Sequence, residues 1–256
     1  APFPFLALLV SGGHNQLILA RGVGEYRVLG GALDDALGEA YDKTARLLGL
    51  DVGGGGGPAL EALARRGDPK AYRFPVPLRR RKDCDFSYAG LKTAVRLAIE
   101  RDLGKPADGD AFARARGLSD DDDASEGDAE DPSFSAEETA RRDAVRADIA
   151  ASFQAAAVKH LEERTRRAIA WARESLANDT KPEPSGNLSC VVVAGGVASN
   201  ATVRATLGAV ASEAGLPLVL PPPRWCTSSA GPDRPEPPVA PSVRSRPSRP
   251  GTTSST

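Results

Sequence analysis

The chain has 256 residues, 41% of them hydrophobic, which is enough to bury one or two hydrophobic cores. Its net charge of −1, from 33 basic and 34 acidic residues, excludes a global electrostatic attraction to nucleic acid, so any such binding depends on local basic clusters. No apolar run approaches the roughly 20 residues that a bilayer requires, and three widely spaced cysteines (Cys84, Cys190 and Cys226) favour a reducing compartment over a disulfide framework.

The first predicted element is a β-hairpin with a glycine turn. Apolar runs at 6–10 and 16–20 predict two strands, joined by Ser11, Gly12, Gly13 and His14. Backbone amides that point out of such a turn bind anions, which predicts a phosphate or adenylate site. A plain hairpin accounts for the same residues, because Gly-Gly between strands is common for steric reasons alone.

A third strand at 26–29 and an amphipathic helix over 33–48 are predicted next. Three strands followed by a helix open a ribonuclease H-like unit. A glycine inside a helix costs about 1 kcal/mol relative to alanine, so Gly38 indicates that something approaches that face of the helix closely. Asp42, one turn further on, either forms a solvated pair with Arg46 or faces a ribose or an amine of a ligand.

The glycine run at 53–57 precedes a short predicted helix at 58–66, which has Pro58 at its first position. Gly57 would present bare backbone at the helix N-terminus, which suits an anion or a hydroxyl group, although a flexible linker has the same composition. Another helix is predicted from Ser87 to Gly104.

Two clusters of basic residues are candidates for contact with a nucleic-acid phosphate backbone, with solvated surface as the alternative interpretation. The first comprises Arg79, Arg80, Arg81 and Lys82, and the second comprises Arg164, Arg166 and Arg167.

The second half of the chain begins with an acidic stretch at 104–132 that has almost no aliphatic residues, which predicts a disordered insert. Ser135, followed three residues later by Glu138, is typical of a capping box and predicts the start of a long helix that ends near Ala177. His160 is interpreted as a plain residue of this helix.

A strand, glycine turn, helix and strand are predicted to follow, at 190–193, 195–196, 201–214 and 216–220. Ligands bind at such turns, outside the carboxyl ends of the strands. Asn200 either caps the helix through its side-chain oxygen or donates a hydrogen bond to a ligand at the turn. The Pro-, Ser- and Arg-rich tail at 221–256 is predicted to be disordered.

These motifs together closely resemble the TsaD family, the threonylcarbamoyl transferases of tRNA, which belong to the actin and sugar-kinase ATPase superfamily. The resemblance extends from about Phe3 to Thr227, and His14 resembles the bacterial and mitochondrial branch. The matching motifs are residues 9–14, the helix with Asp34, Asp35, Gly38, Glu39, Asp42 and Lys43, then Gly56-Gly57-Pro58, residues 85–87 with 90–93, and residues 194–197 with Asn200.

The resemblance implies a mixed sheet flanked by helices, in a ribonuclease H-like lobe spanning 1–220. It implies transfer of threonylcarbamoyl from threonylcarbamoyl-adenylate to the exocyclic amine of the adenosine beside the tRNA anticodon. The partners that it implies are the tRNA, the adenylate and a second copy or accessory subunits. No catalytic residue is assigned. The substrate-binding residues that it implies are Leu9, Val10, Ser11, Gly12, Gly13, Asp42, Gly57 and Asn200.

The sequence also departs from the family. One divalent metal ion is expected, but the family's paired histidines and first lobe lie upstream of Ala1. Ser228 and Ser229 stand where the family has Asp-Asn, and serine is a poor ligand for a hard divalent cation. We therefore expect a second lobe without a metal site, inactive alone, from a mitochondrial protein, with a cytoplasmic location as the alternative.

Two further functions remain as alternatives. One is a non-catalytic nucleotide-binding or partner-docking module of the same superfamily. The other is a metalloendopeptidase, which is disfavoured because His14 and His160 have no metal-ligand spacing and no His-Glu-x-x-His motif occurs.

Overall fold

The computed structural model describes residues 1–53, 55–104, 135–178 and 187–220. The predicted acidic insert, the predicted tail, Cys226 and the serines at 228 and 229 lie outside the described residues.

A mixed five-stranded sheet forms the centre of the molecule, in the order β3-β2-β1-β4-β5. β1 is antiparallel to β2, with Leu8 opposite Leu17, and β2 is antiparallel to β3. β1 is parallel to β4, which is parallel to β5. The strands are β1 (Phe5–Val10), β2 (Asn15–Gly22), β3 (Glu25–Gly31), β4 (Val191–Ala194) and β5 (Leu218–Val219).

Helices pack against this sheet, and the core lies between them. The alternation of buried and half-buried residues along β1 is that of a strand with helices on its inner face. The helices are α1 (Leu37–Leu47), α2 (Gly56–Ala64), α3 (Ala89–Asp102), α4 (Ala136–Ala177) and α5 (Ala201–Glu213), with one 3-10 turn at Gly196–Ser199. The predicted α/β class is confirmed. Among the described residues, no helix combines the length and hydrophobicity needed to cross a bilayer.

The long helix α4 begins where the sequence predicts. The Ser135 side chain accepts a hydrogen bond from the backbone N–H of Glu138, which satisfies one free donor of the first turn. Glu138 does not complete the capping box but instead pairs with Arg141. The helix continues to Ala177, as predicted.

The start of α1 differs from the prediction. The helix begins at Leu37 instead of residue 33, and Leu33 is 55% exposed. Ala32 forms a parallel bridge with Phe86, and the backbone N–H of Leu33 donates to the Phe86 carbonyl. This non-local pairing holds the segment before α1 in an extended conformation, which helical periodicity does not detect.

Three other boundaries also differ. α2 begins at Gly56, so Pro58 is its third residue instead of its first. Ser87 does not open α3, which begins at Ala89, because its hydroxyl donates to Asp34 at 2.5 Å. β5 has two residues instead of the five predicted.

Candidate functional site

The hairpin turn between β1 and β2 lies directly against the bend after β4. Gly195 has a φ of +111°, and a Cβ atom there would lie 2.1 Å from the carbonyl oxygen of Val10. Only a glycine fits so close an approach of two backbones. The turn after β1 and the turn after β4 therefore form one surface, at the carboxyl ends of two adjacent parallel strands.

The start of α1 lies against the same turn. The backbone N–H of Gly38 donates to the carbonyl of Ser11 at 3.2 Å, and a Cβ atom at Gly38 would lie 2.7 Å from that oxygen. The close approach that the sequence indicates at Gly38 is therefore made by the hairpin backbone.

The turn itself leaves backbone open to solvent. Ser11 closes it, because its N–H donates to the His14 carbonyl at 2.8 Å and its hydroxyl accepts from the His14 N–H at 3.0 Å. Gly12 and Gly13 are exposed, and no atom lies within 4 Å of a Cβ placed on either. Leu9 is half-buried and Val10 is fully buried in β1. Of the predicted loop, residues 11–13 are thus the part open to a ligand.

Asp42 and Gly57 are brought together at the N-terminus of α2. Asp42 Oδ1 accepts from the backbone N–H of Gly57 at 3.1 Å instead of pairing with Arg46. A Cβ atom at Gly56 would lie 2.7 Å from Asp42 Cα, so α1 and α2 touch through backbone here. Asp42 Oδ2 has no hydrogen-bond partner among the described residues.

Asn200 caps α5, in agreement with the simpler of its two interpretations. Its Oδ1 accepts from the N–H of Val203 at 3.0 Å, and its Nδ2 donates to Gln154 Oε1 at 3.1 Å. The same Gln154 oxygen accepts from the Tyr41 hydroxyl at 3.4 Å. A buried chain of hydrogen bonds therefore connects the cap of α5 to α1, at the residue next to Asp42. Asn200 itself is only 6% exposed.

Two aspartates before α1 connect the site to the start of α3, a contact that sequence analysis missed. Asp34 accepts from the hydroxyl of Ser87 and from the N–H of Tyr88 at 2.8 Å. Asp35 accepts from Lys43 Nζ at 3.0 Å and contacts Lys92 Nζ. In three of these four pairs the partners are more than 50 residues apart, so no local spacing signals them.

His160 has a larger role than the plain helix residue predicted. It is fully buried on α4, and its Nε2 accepts from the N–H of Ser87 at 3.3 Å. The rings of Phe86 and Tyr88 lie edge-on to it, with centroids 5.6 and 5.5 Å away. Burial, together with a smaller effect of the nearby Arg164, lowers the pKa of His160 to about 4. The imidazole is therefore neutral at pH 7.

The second basic cluster lies only partly on the surface. Arg164 is 1% exposed and donates to backbone carbonyls, including that of Asp83 at 2.6 Å. Arg166 is exposed but forms ion pairs with Glu162 and Glu213. The prediction of a phosphate contact is therefore wrong for Arg164, because its charge is directed into the fold.

The residues that the structure describes do not fit the divalent metal ion that the family resemblance implies. No group of three or more His, Cys, Asp or Glu side chains among them is arranged to hold a metal ion. The described cysteines, Cys84 and Cys190, are buried free thiols.

The candidate site is an open surface of backbone and not a deep cavity. A cavity of about 600 Å³ opens elsewhere, between β2, β3 and the C-terminal end of α4, lined by Arg21, Arg27 and Trp171 among others. None of the predicted site residues lines it. A site made of turns at one edge of a sheet requires another surface opposite it to enclose a ligand.

The fold and the site define an α/β lobe of the actin and sugar-kinase superfamily, with glycine turns at the carboxyl ends of its parallel strands. The family model "TsaD: tRNA N6-adenosine threonylcarbamoyltransferase" matches residues 1–231, and the chain belongs to the TsaD family.

Similar proteins carry the same description. The chain is 50% identical over 227 residues to "Probable tRNA N6-adenosine threonylcarbamoyltransferase, mitochondrial" of Arabidopsis thaliana, which covers 89% of this chain and 40% of that protein. It is 43% and 44% identical to proteins named tRNA N6-adenosine threonylcarbamoyltransferase of Maricaulis maris and Ruegeria pomeroyi, over 89% of this chain and 49% and 51% of theirs. The chain spans about half, or less, of the length of these relatives.

Proposed function

We propose that the chain forms the adenylate-binding lobe of an enzyme that transfers threonylcarbamoyl to tRNA. The acceptor is the exocyclic amine of the adenosine beside the anticodon. The observation that carries the proposal is the packing of the hairpin turn against Gly195 and the start of α1, with the N-terminus of α2 against Asp42 one turn further along α1. Two glycine bends, and an Asp42 oxygen without a partner among the described residues, together suit a nucleotide that carries a mixed anhydride.

The chemistry requires positioning and charge stabilisation. The amine nitrogen forms a bond to the carbamoyl carbon, the bond from that carbon to the phosphate oxygen breaks, and AMP leaves with the electron pair as the amine loses a proton. The amides of the exposed turn at Gly12 and Gly13 would donate to oxygens that gain negative charge. Asp42 Oδ2 would accept from a ribose hydroxyl beside Gly57, and the Asn200 cap would hold the bend on the adenosine side.

The part of the chain that the structure describes supplies the candidate adenylate surface, but its residues do not provide a metal site. We propose that the lobe at 1–220 binds the adenylate alone and does not complete the transfer alone. A mitochondrial location is supported by the similarity to the Arabidopsis protein, whereas the bacterial relatives of comparable identity favour neither compartment.

The first prediction compares Asp42→Asn with Asp51→Asn. Asp42→Asn preserves the acceptor for Gly57 but replaces the other carboxylate oxygen with a donor, so the affinity for threonylcarbamoyl-adenylate is expected to fall about 10- to 100-fold, the range for a hydrogen bond to a charged group. Asp51 is a matched control, because its Oδ1 accepts from the N–H of Gly53 at 2.9 Å in an exposed turn. Isothermal titration of the chain with the adenylate measures both.

The proposal fails if the unsubstituted chain does not bind the adenylate, or if both substitutions weaken binding equally. Formation of threonylcarbamoyladenosine, measured in a separate assay with unmodified tRNA, distinguishes a transferring lobe from a module that only binds a nucleotide.

A further inference from the structure

An exposed basic loop precedes the segment that pairs with the entrance of α1. The loop comprises Arg79, Arg80, Arg81 and Lys82, all exposed. Arg81 forms ion pairs with Asp83 at 2.5 Å and Asp85 at 3.3 Å. The other three side chains have no hydrogen-bond or ion-pair partner in the described parts of the chain, so the loop presents three unpaired positive charges to solvent.

Two arginines of α4 hold the backbone of this loop from beneath. Arg164 donates to the carbonyls of Arg81 at 3.0 Å and Asp83 at 2.6 Å, and also to that of Leu78. Arg167 donates to the carbonyls of Arg81 at 3.1 Å and Asp83 at 2.8 Å. Leu78, at the start of the loop, has a φ of +48°, a conformation that side chains seldom adopt. The backbone of the loop is thereby fixed while its side chains point outward.

The buried arginine beneath the loop has an unfavourable free energy of burial, which a loop that only contacts solvent does not require. Burying a guanidinium removes its hydration, which is unfavourable unless every donor is satisfied. Arg164 is almost fully buried, its Nε has no partner among the described residues, and burial lowers its pKa. A second positive charge, Arg167, lies close by and lowers that pKa further. A fold that concentrates positive charge here, and fixes it, suits a large anion that is bound in one orientation.

We infer that the basic loop is a contact for an RNA phosphate backbone, through Arg79, Arg80 and Lys82. The inference rests on the proposed function for the identity of the RNA, a tRNA anticodon arm. Its physical basis is separate, since it depends on unpaired cations on a fixed backbone. Neutralising phosphates releases their counterions, which gives the salt-dependent affinity typical of such contacts. Prior fixing of the loop reduces the entropy lost on binding.

The experiment compares two triple variants of the chain in binding a synthetic anticodon stem–loop RNA, without adenylate, over a range of salt concentrations. The test variant is Arg79→Gln, Arg80→Gln and Lys82→Gln. The control variant, Arg46→Gln, Arg66→Gln and Lys70→Gln, removes the same charge from exposed side chains elsewhere. The slope of log affinity against log salt is expected to shrink by about 2 in the test variant, since each phosphate contact contributes 0.7–0.9, and to stay unchanged in the control.

A third variant, Arg164→Met, keeps all three loop cations but releases the backbone beneath them. Provided that circular dichroism shows the fold intact, its RNA affinity is expected to fall about tenfold at constant salt. If it does not fold, the triple variants still decide the question. Adenylate titration of the test variant should match that of the unsubstituted chain.

The inference is overturned if the unsubstituted chain does not bind the RNA, or if the test and control variants have the same salt slope. A chain that binds RNA through the loop but does not bind adenylate would refute the proposed function and leave this inference standing. A chain that binds adenylate, but whose RNA affinity does not depend on the loop cations, would refute this inference and leave the proposed function standing.

Discussion

Individual glycines set how closely the backbone segments of the site approach one another. Gly38 and Gly195 are required by contact, because a Cβ atom on either would overlap the backbone of the hairpin turn. Gly12, Gly13 and Gly57 have open space where a Cβ would lie. The first two thus hold the site together, whereas the other three have room for a ligand beside them; the amide of Gly57 donates to Asp42, and Gly12 and Gly13 lie in an exposed turn. The sequence does not distinguish the two sets, because all five residues are glycines. Only the contacts in the structure tell them apart.

At the same scale, His160 gives the protein a pH-dependent stability. Its pKa is about 4 in the folded chain and 6.5 when unperturbed, so the unfolded chain binds the proton first as pH falls. The free energy of unfolding that this difference contributes is fully present above about pH 6.5 and is lost as pH falls toward 4. Between pH 7.5 and pH 5 the loss is expected to be about 2 kcal/mol.

Urea unfolding of the chain and of His160→Gln at these two pH values measures the effect. The glutamine can still accept from the N–H of Ser87 but does not titrate, so the variant should lose about 2 kcal/mol less on acidification than the unsubstituted chain. His14→Gln, at an exposed position, is the control and should behave as the unsubstituted chain does. Equal acid sensitivity of all three proteins would show that His160 is not the group responsible.

At the scale of elements, the Asn200 side chain both starts α5 and joins it to Gln154 of α4. Asn200→Ser preserves an oxygen acceptor for the N–H of Val203 but removes the donor to Gln154. Asn200→Ala removes both. We expect the free energy of unfolding to fall by about 1 kcal/mol in the serine variant and about 2 kcal/mol in the alanine variant.

Urea unfolding measures these losses, and Ser135→Ala, which removes a cap of the same kind from the exposed start of α4, should cost about 1 kcal/mol. If the serine and alanine variants at 200 were equally stable, the capping bond would contribute nothing. Adenylate binding that falls by the same factor in both, despite their different stability, would support a direct contact between Asn200 and the ligand.

The sequence predicted elements where the signal is local and failed where a distant segment decides. The hairpin, α4 with its cap, and the parallel unit around Asn200 follow from periodicity, capping residues and glycine turns. The starts of α1 and α3 do not follow from such local signals, because residues 32–34 and 86–88 pair with each other across more than 50 residues. Pairing at this separation leaves no repeating pattern in either segment.

For the whole molecule, the same division between local and long-range contacts explains how much of the site could be predicted from the sequence. Each bend was visible by itself, yet the central pair of the sheet, β1 and β4, joins residues about 185 positions apart, and that pairing brings Val10 against Gly195. The family resemblance supplied this convergence, since local spacing contains no information about it. Contacts made entirely by backbone, such as that of Gly38 with Ser11, are invisible to any pattern of side chains.

The described parts of the molecule also predict that residues 105–134 are dispensable for folding. Arg142 of α4 donates to the carbonyl of Leu103 at 2.8 Å, so the end of α3 and the beginning of α4 are adjacent without the segment between them. Ser135 lies seven residues, or about 10 Å, before Arg142 along the helix. A Gly/Ser linker of about eight residues can therefore join Gly104 to Ser135 without strain.

Replacing residues 105–134 with that linker should raise the free energy of unfolding by about 1 kcal/mol, because closing a shorter loop costs less entropy. Urea denaturation of both chains measures this, and the salt slope of RNA binding should be the same for both if the acidic residues do not cover the basic loop. A control with a 30-residue Gly/Ser linker should match the unsubstituted chain. A shortened chain less stable by 2 kcal/mol or more would mean that the segment packs on the core, so that the lobe and its insert form one cooperative unit.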